Sequence, residues 1–215
     1  MQANRHDGMN SDIAMRLARD WAKAWSDLGL EPPPGVFEQI LQAHGESHRH
    51  YHSIEHLIEC LAHFEGARHL ARQPGEVAIA LWFHDAVYDV KGTSNEQRSA
   101  DWATAVLEKA RAPEPTCKRI EQLILATRHD ALPKDADQQL LVDIDLAILG
   151  APVQRFAEYD KQIRAEYNWV PGLLYGMKRK AVLKSFLARP SIYSTQHFRD
   201  RLEAQARANL TTAVT

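Results

Sequence analysis

The stretch Leu81-Trp82-Phe83-His84-Asp85-Ala86-Val87-Tyr88-Asp89 determines how the rest of the chain is interpreted. It continues an apolar run that begins at Val77 and leaves almost no polar face. The sequence therefore predicts a central helix over residues 75–88 that is enclosed on most sides. Burying an imidazole and a carboxylate costs several kcal/mol unless they have partners. We expect His84 and Asp85 to be paired, hydrogen-bonded or bound to a cation.

The composition is that of an ordinary globular protein. The chain has 215 residues, of which 45% are hydrophobic and 25% charged, and its formal net charge is -2. This length suits one large domain, and there is no basic excess to hold bulk nucleic acid or an anionic membrane. The two cysteines, Cys60 and Cys117, are far apart and in no metal-ligand spacing, so we expect them to be reduced and structural.

Neither end of the chain nor its interior shows a membrane or export signal. The first ten residues lack the apolar core of a signal peptide. No apolar run reaches the ~20 residues that span a bilayer. These features predict a cytoplasmic protein without a membrane partner.

Helical periodicity recurs along the chain, and strict period-two alternation does not persist between turn signals. The sequence therefore predicts an all-α fold, with a polar tail over 1–10, one helical domain over 11–210 and a short tail over 211–215. Besides the central helix, the predicted helices cover residues 13–28, 36–44, 53–70, 95–110, 116–129, 138–149, 153–167, 175–188 and 195–210.

Three of these predicted helices carry histidine or aspartate in apolar surroundings. The residues are His52 and His56, His84 and Asp85, and Asp143 or Asp145. Each alone is more often a hydrogen-bonded core group, so the prediction depends on all three segments together. A mixed set of imidazole nitrogens and carboxylate oxygens suits a divalent transition metal and leaves positions for water and substrate.

The order of these residues resembles the HD superfamily of metal-dependent phosphohydrolases. More narrowly, the chain is similar over residues 49–210 to a bacterial branch of predicted HD hydrolases whose substrate is unassigned. The strings that carry this similarity are Tyr51-His52-Ser53-Ile54-Glu55-His56, Phe83-His84-Asp85-Ala86-Val87-Tyr88-Asp89, Asn95-Glu96, Ser99-Ala100, Asp143-Ile144-Asp145-Leu146-Ala147-Ile148-Leu149-Gly150 and Ala206-Arg207-Ala208-Asn209-Leu210. The resemblance implies a single HD-type helical bundle with additional N- and C-terminal helices.

The resemblance also implies a ligand set. The expected metal ligands are His52, His84, Asp85 and Asp145. Asp145 is chosen over Asp143 because the residues that follow it fit the family pattern better. The cofactor is a divalent cation, and manganese, iron, nickel, cobalt, zinc and magnesium all remain open.

Two further histidines are assigned supporting roles. His129 is a candidate ligand for a second metal, because some HD phosphodiesterases use additional histidines to bind one. His56 lies one predicted helical turn after His52 and is expected to support a ligand or to contact phosphate.

Four more residues are candidates for contact with substrate or water. Asp89, four residues after Asp85, is predicted to orient the attacking water. Arg49 and Arg128 are candidates to bind phosphate oxygens. Glu96 is expected to orient a ligand or to cap its helix.

The function implied by the resemblance is hydrolysis of a phosphate ester in a nucleotide or another small phosphorylated metabolite, by metal-activated water. A sensor that binds a nucleotide without turnover is the main alternative. The segment 52–56 also matches the H-x-x-E-H pattern of inverted zinc peptidases, but that function leaves His84, Asp85 and Asp145 unexplained. Apolar residues on the terminal helices fit either the core or a homodimer face.

Overall fold

The all-helical prediction is confirmed. The computed structural model describes the backbone of residues 3–215 and the side chains of residues 12–215, and the described backbone contains no strand. Its ten α-helices are α1 (Ala3–Leu28), α2 (Val36–His44), α3 (Ile54–Ala67), α4 (Pro74–Phe83), α5 (Asn95–Lys109), α6 (Glu114–Leu125), α7 (Ala136–Asp145), α8 (Val153–Glu166), α9 (Gly172–Leu187) and α10 (Gln196–Val214). Short 3-10 turns extend α3, α6 and α7.

Helix α4 is the centre of the molecule. Every residue from Gly75 to Phe83 is buried, and the helix packs against α1, α3, α5, α6 and α7. On the α1 side, the ring of Trp82 meets that of Trp21 edge to face, with centroids 5.1 Å apart. An apolar helix without a polar face is stable only when neighbours cover all its sides, and these five helices do so.

The central helix ends earlier than the sequence predicts, at Phe83 instead of Tyr88. The last helical hydrogen bond runs from His84 N–H to Ala80 O. Beyond it, side chains take over the backbone groups: the buried guanidinium of Arg49 donates to Asp85 O and Ala86 O. With these hydrogen bonds the helix ends at its capping residue His84, and Asp85 lies in the turn that follows.

Both terminal helices extend into segments predicted as tails. Helix α1 begins at Ala3, within the predicted tail 1–10, of which residues 1 and 2 lie outside the described part. Helix α10 continues to Val214, through most of the predicted tail 211–215. Neither extension contains proline, so nothing in the sequence forces the helix to stop there.

Helix α10 holds the end of α7 in place. The amide of Asn209 donates to the carbonyl oxygens of Leu149 and Ala151, at 2.9 and 2.8 Å, and Tyr193 donates its hydroxyl proton to Leu146 O. Gly150 permits this close packing, since a Cβ there would lie 2.6 Å from Cβ of Leu202. The chain that follows the last turn of α7 is therefore fixed from outside.

His44 gives the stability of the fold a specific pH dependence. The side chain is 1% exposed, and within residues 12–215 neither ring nitrogen has a hydrogen-bond partner. Burial, and then the positive charge of Arg49, lower the pKa of His44 to about 3 from 6.5. Between these values the unfolded chain binds a proton that the folded chain does not. The free energy of unfolding is therefore highest above pH 6.5 and decreases as the pH falls from 6.5 toward 3.

We predict that lowering the pH from 7 to 5 costs the wild type about 2 kcal/mol more free energy of unfolding than it costs a His44→Leu variant. Urea unfolding at the two pH values measures this difference. A His50→Ala variant, changed at an exposed histidine, serves as the control and should behave like the wild type. Equal losses in the wild type and in His44→Leu would contradict the assignment.

Candidate metal centre

Two imidazoles and two carboxylates converge where α3, α4 and α7 meet. His84 Nε2 lies 3.3 Å from His56 Nε2 and 3.2 Å from Asp85 Oδ2. Asp145 Oδ1 lies 3.3 Å from His56 Nε2 and 3.7 Å from His84 Nε2. Asp85 Oδ2 is 3.5 Å from His56 Nε2. Such a set of nitrogen and oxygen donors is of the kind that binds a divalent transition metal.

Helix ends bring these groups together. His56 lies in the first turn of α3, His84 caps the carboxyl end of α4, and Asp145 is the last residue of α7. Asp85 follows in the turn that Arg49 holds by its carbonyl oxygen. The four residues stand at or near the ends of three helices, and His84 and Asp85 share the carboxyl end of α4. Their side chains can therefore meet without interrupting a buried helix.

His84 has a defined proton position. Its Nδ1 lies 2.8 Å from Leu81 O, a carbonyl that can only accept, so Nδ1 carries a proton. In the neutral ring, Nε2 then presents its lone pair to His56, Asp85 and Asp145. Histidine ligands of metals commonly have their other ring nitrogen bound in this way.

The charges of the cluster hold one another in place. Burial alone would lower the pKa of His84, but the carboxylates of Asp85 and Asp145 outweigh it and raise that pKa to about 9. Burial works to raise the pKa of each aspartate, and the neighbouring histidines reverse this and hold both pKa values well below the usual range. With no cation bound, a proton on His84 balances part of the negative charge.

Cys60 is a donor that the sequence analysis missed. His56, Cys60, His84 and Asp145 form a group that can hold a metal ion, because one donor atom from each lies within 4.8 Å of the others. Cys60 was expected to be structural because only its spacing to Cys117 was considered. The detectable signal was its position four residues after His56, one turn along the same helix face.

The structure places His52 beside the convergent group and not within it. Helix α3 begins at Ile54, so His52 precedes the helix and does not share a helix face with His56. Its Nδ1 lies 2.8 Å from Glu166 Oε2, and its ring stacks on that of Tyr88 with centroids 4.2 Å apart. His56, for which a supporting role was predicted, is the histidine that contacts the other donors directly, whereas the predicted ligand His52 lies beside them.

Glu166, which the sequence analysis also missed, anchors the segment before α3. Its Oε1 accepts three backbone N–H groups, those of residues 50–52, and its Oε2 contacts His52 Nδ1 and accepts from Tyr88. Burial would raise the pKa of Glu166, but the hydrogen bonds from His52 and the backbone lower it to about 2. A glutamate at the end of an amphipathic helix gives no sequence signal for such a role.

His129, predicted as a candidate ligand of a second metal, contacts the cluster on the α7 side. Its Nε2 lies 3.0 Å from Asp145 Oδ2. The backbone has a φ of 56°, in the left-handed region that non-glycine residues seldom occupy. Such strain persists only where surrounding contacts impose it, and functional sites are common places for it.

Arg49, predicted as a phosphate ligand, has most of its donors engaged by groups of the protein. Its guanidinium is buried and donates to the carbonyl oxygens of His52, Asp85 and Ala86 and to the carboxylate of Glu46. These acceptors leave little donor capacity for a substrate. Its observed work is to join the segment before α3 to the turn after α4.

The other predicted contacts have simpler surroundings. Asp89 is exposed, its Oδ1 accepts from Lys91 N–H, and the i+4 relation to Asp85 fails because α4 has ended. Glu96 lies in the first turn of α5, where a negative charge favours the helix dipole. Arg128 is exposed beside His129 and donates to Gln97 Oε1 at 3.0 Å.

Of the two candidate aspartates in α7, only Asp145 joins the cluster. Asp143 is fully buried elsewhere and accepts from the backbone N–H groups of Ser194 and Thr195 and from the Thr195 hydroxyl. It therefore fastens the chain before α10 and is satisfied without a cation.

The cluster is open on one side. The side chains of His56 and His84 are at most 3% exposed, whereas those of Asp85 and Asp145 are 18% and 14% exposed. His52 and His129 flank this accessible edge and are 22% and 23% exposed. The carboxylates are therefore the more accessible part of the cluster.

The fold and this site define the chain as a helical protein with a candidate metal centre. Between Ala3 and Thr215, no helix combines the length and apolarity that crossing a bilayer requires. Comparisons with protein-family models, with curated proteins and with solved structures yield no match.

We predict that Glu166→Ala lowers the free energy of unfolding by about 3 kcal/mol or more, because buried donors lose their acceptor. Hydrogen exchange of the amides of residues 50–52 should accelerate at the same time. Glu158→Ala, an exposed position on the same helix, is the control and should cost about 0.5 kcal/mol or less. Similar losses in the two variants would show that Glu166 does not anchor this segment.

Proposed function

We propose that the protein is a metal-dependent phosphohydrolase of the HD type, acting on a nucleotide or another small phosphorylated metabolite. The observation that carries the proposal is the convergence of His56, His84, Asp85 and Asp145 on one point. The order of these residues along the chain also agrees with the HD resemblance.

The donor set fits a divalent cation. His56, His84, Asp85 and Asp145 would hold it, and the proton of His84 Nδ1 on Leu81 O leaves Nε2 free to bind. When bound, such a cation lowers the pKa of water and withdraws electron density from a phosphoryl group. The residues around it must then bind the substrate and handle protons.

His52 and Glu166 have the arrangement of a proton donor and its support. Glu166 fixes Nδ1 of His52, so Nε2 is the atom available to a substrate. Burial acts to lower the pKa of His52, but Asp85 and Glu166 outweigh it, so the pKa rises and the ring favours its protonated form. We assign His52 the task of protonating the leaving oxygen.

Arg128 and His129 lie on the opposite flank of the accessible edge. Arg128 is exposed and makes one hydrogen bond, to Gln97, so it retains donors for a phosphate oxygen. His129 binds Asp145 and keeps that carboxylate oriented toward the other donors. A phosphate group between the two flanks would therefore meet donors on both sides.

A metal-binding protein without turnover is the second candidate. It is favoured by the burial of His56 and His84 and by Cys60, since a centre with a full set of protein ligands is typical of structural zinc sites. Metal content without phosphate release would favour this candidate.

We predict that His56→Ala and His84→Ala lose most of the bound metal, whereas His52→Ala keeps it. Each lost imidazole removes a direct donor, so we expect the metal affinity to fall on the order of 100-fold or more. Elemental analysis and competition titration of the purified proteins measure the effect. Retention of metal by His56→Ala together with loss in His52→Ala would show that His52 is the ligand, as the resemblance implies, and that His56 is not.

We predict that Asp145→Asn abolishes phosphate release while Asp143→Asn leaves turnover per folded molecule unchanged. Only Asp145 lies among the metal donors, and Asp143 serves the chain before α10. The assay is phosphate release from nucleoside mono-, di- and triphosphates with added manganese or zinc. His52→Ala should lower kcat by about 100-fold with metal retained, as expected on loss of a general acid. Full metal loading without release from any of these compounds would refute the hydrolase.

A further inference from the structure

We propose that Cys60 is a sulfur ligand of this centre, and that the centre therefore selects a zinc-class cation over magnesium or manganese. The inference rests on the metal site proposed above and names its cation. It is carried by the position of the thiol among the imidazoles.

Cys60 lies one turn after His56 on α3, and its side chain is buried. Its Sγ lies 3.6 Å from His56 Nε2 and 3.7 Å from His56 Nδ1. The thiol thus lies beside the ring of His56, at nearly the same distance from both of its nitrogens. Together with His56, His84 and Asp145 it forms the set of four residues whose donor atoms lie within 4.8 Å of one another.

The separation of the two imidazole nitrogens fits a shared zinc ion. Cys60 Sγ, which lies beside the ring of His56, reaches that ion by a turn of its side chain toward Nε2. With the usual zinc bond lengths, two imidazole nitrogens in a tetrahedron lie about 3.3 Å apart. The two imidazole nitrogens here are 3.3 Å apart. Neighbouring ligands of an octahedral magnesium ion would be closer, at about 2.9 Å.

The chemistry of the donors gives the same preference. Thiolate and imidazole suit zinc and cobalt, whereas magnesium and manganese favour carboxylates, carbonyls and water. On coordination, the thiol proton leaves to solvent and one metal–sulfur bond forms. The thiolate and the carboxylates of Asp85 and Asp145 then surround the two positive charges of the ion.

The ion also has a route to the thiol. A cavity of about 200 Å³ is lined by His56, Cys60 and Asp145 on the side of α8. Cys117 provides a built-in comparison, because it is also buried but is not in the donor group, and the polar contact of its Sγ is with Ala112 O at 3.9 Å. The two cysteines therefore differ in whether candidate ligands surround them.

Titration of the metal-free full-length protein with cobalt(II) chloride tests the proposal. The wild type should develop a near-ultraviolet charge-transfer band from sulfur to cobalt, along with the visible bands of a four- or five-coordinate ion. Cys60→Ser should lose the near-ultraviolet band, and Cys117→Ser should keep it. A wild-type spectrum with visible bands and no sulfur band overturns the proposal whether or not the variants fold.

Competition titration adds a quantitative comparison. Cys60→Ser should weaken zinc binding on the order of tenfold or more and change manganese binding much less. Equal losses for both ions would overturn the role of sulfur.

The hydrolase proposal and the Cys60 proposal have different negative results. Cobalt binding without a sulfur band refutes only the role of Cys60. A sulfur band without phosphate release supports the sulfur-ligated centre and refutes the hydrolase, and the absence of any bound cobalt or zinc refutes both proposals.

Discussion

The burial of charge at the carboxyl end of α4 is the constraint on which the structure depends. A helix that is apolar on all sides leads directly into an imidazole and a carboxylate, and neither can be left without a partner there. His56 and Asp145 arrive from α3 and α7 to supply partners. The arrangement of these three helices therefore pairs the buried charges as well as packing the apolar side chains.

Two buried charges outside the cluster make this solution possible. Arg49 ties the segment before α3 to the turn after α4, and Glu166 gathers three amide groups of that segment from the end of α8. Together they determine where α3 begins and where the chain leaves α4. The geometry of the cluster thus depends on residues that lie outside it.

Much of the fold followed from the sequence because periodicity reports burial. The periodicity predicts the central helix and the other nine helices, and Asp145, preferred over Asp143 as a ligand, lies in the convergent group. The end of α4 was not predictable, because the apolar run continues past Phe83 and the turn is caused by Arg49, thirty-four residues earlier. The positions of His52 and His56 have a similar cause: only the folded chain shows that His56 contacts His84 and that His52 contacts Glu166. Glu166 and Cys60 act through contacts that are distant in sequence or that a search for paired cysteines overlooks.

The central claim is that the cluster is a metal centre and not only a network of buried ion pairs. Anomalous diffraction at the zinc absorption edge, from crystals grown with zinc, tests this most directly. The account predicts a peak within bonding distance of His56 Nε2, His84 Nε2 and an oxygen of Asp145, at about 2.0–2.2 Å. Crystals with no peak at this cluster, or with a peak bound by His52 in place of His56, would contradict it.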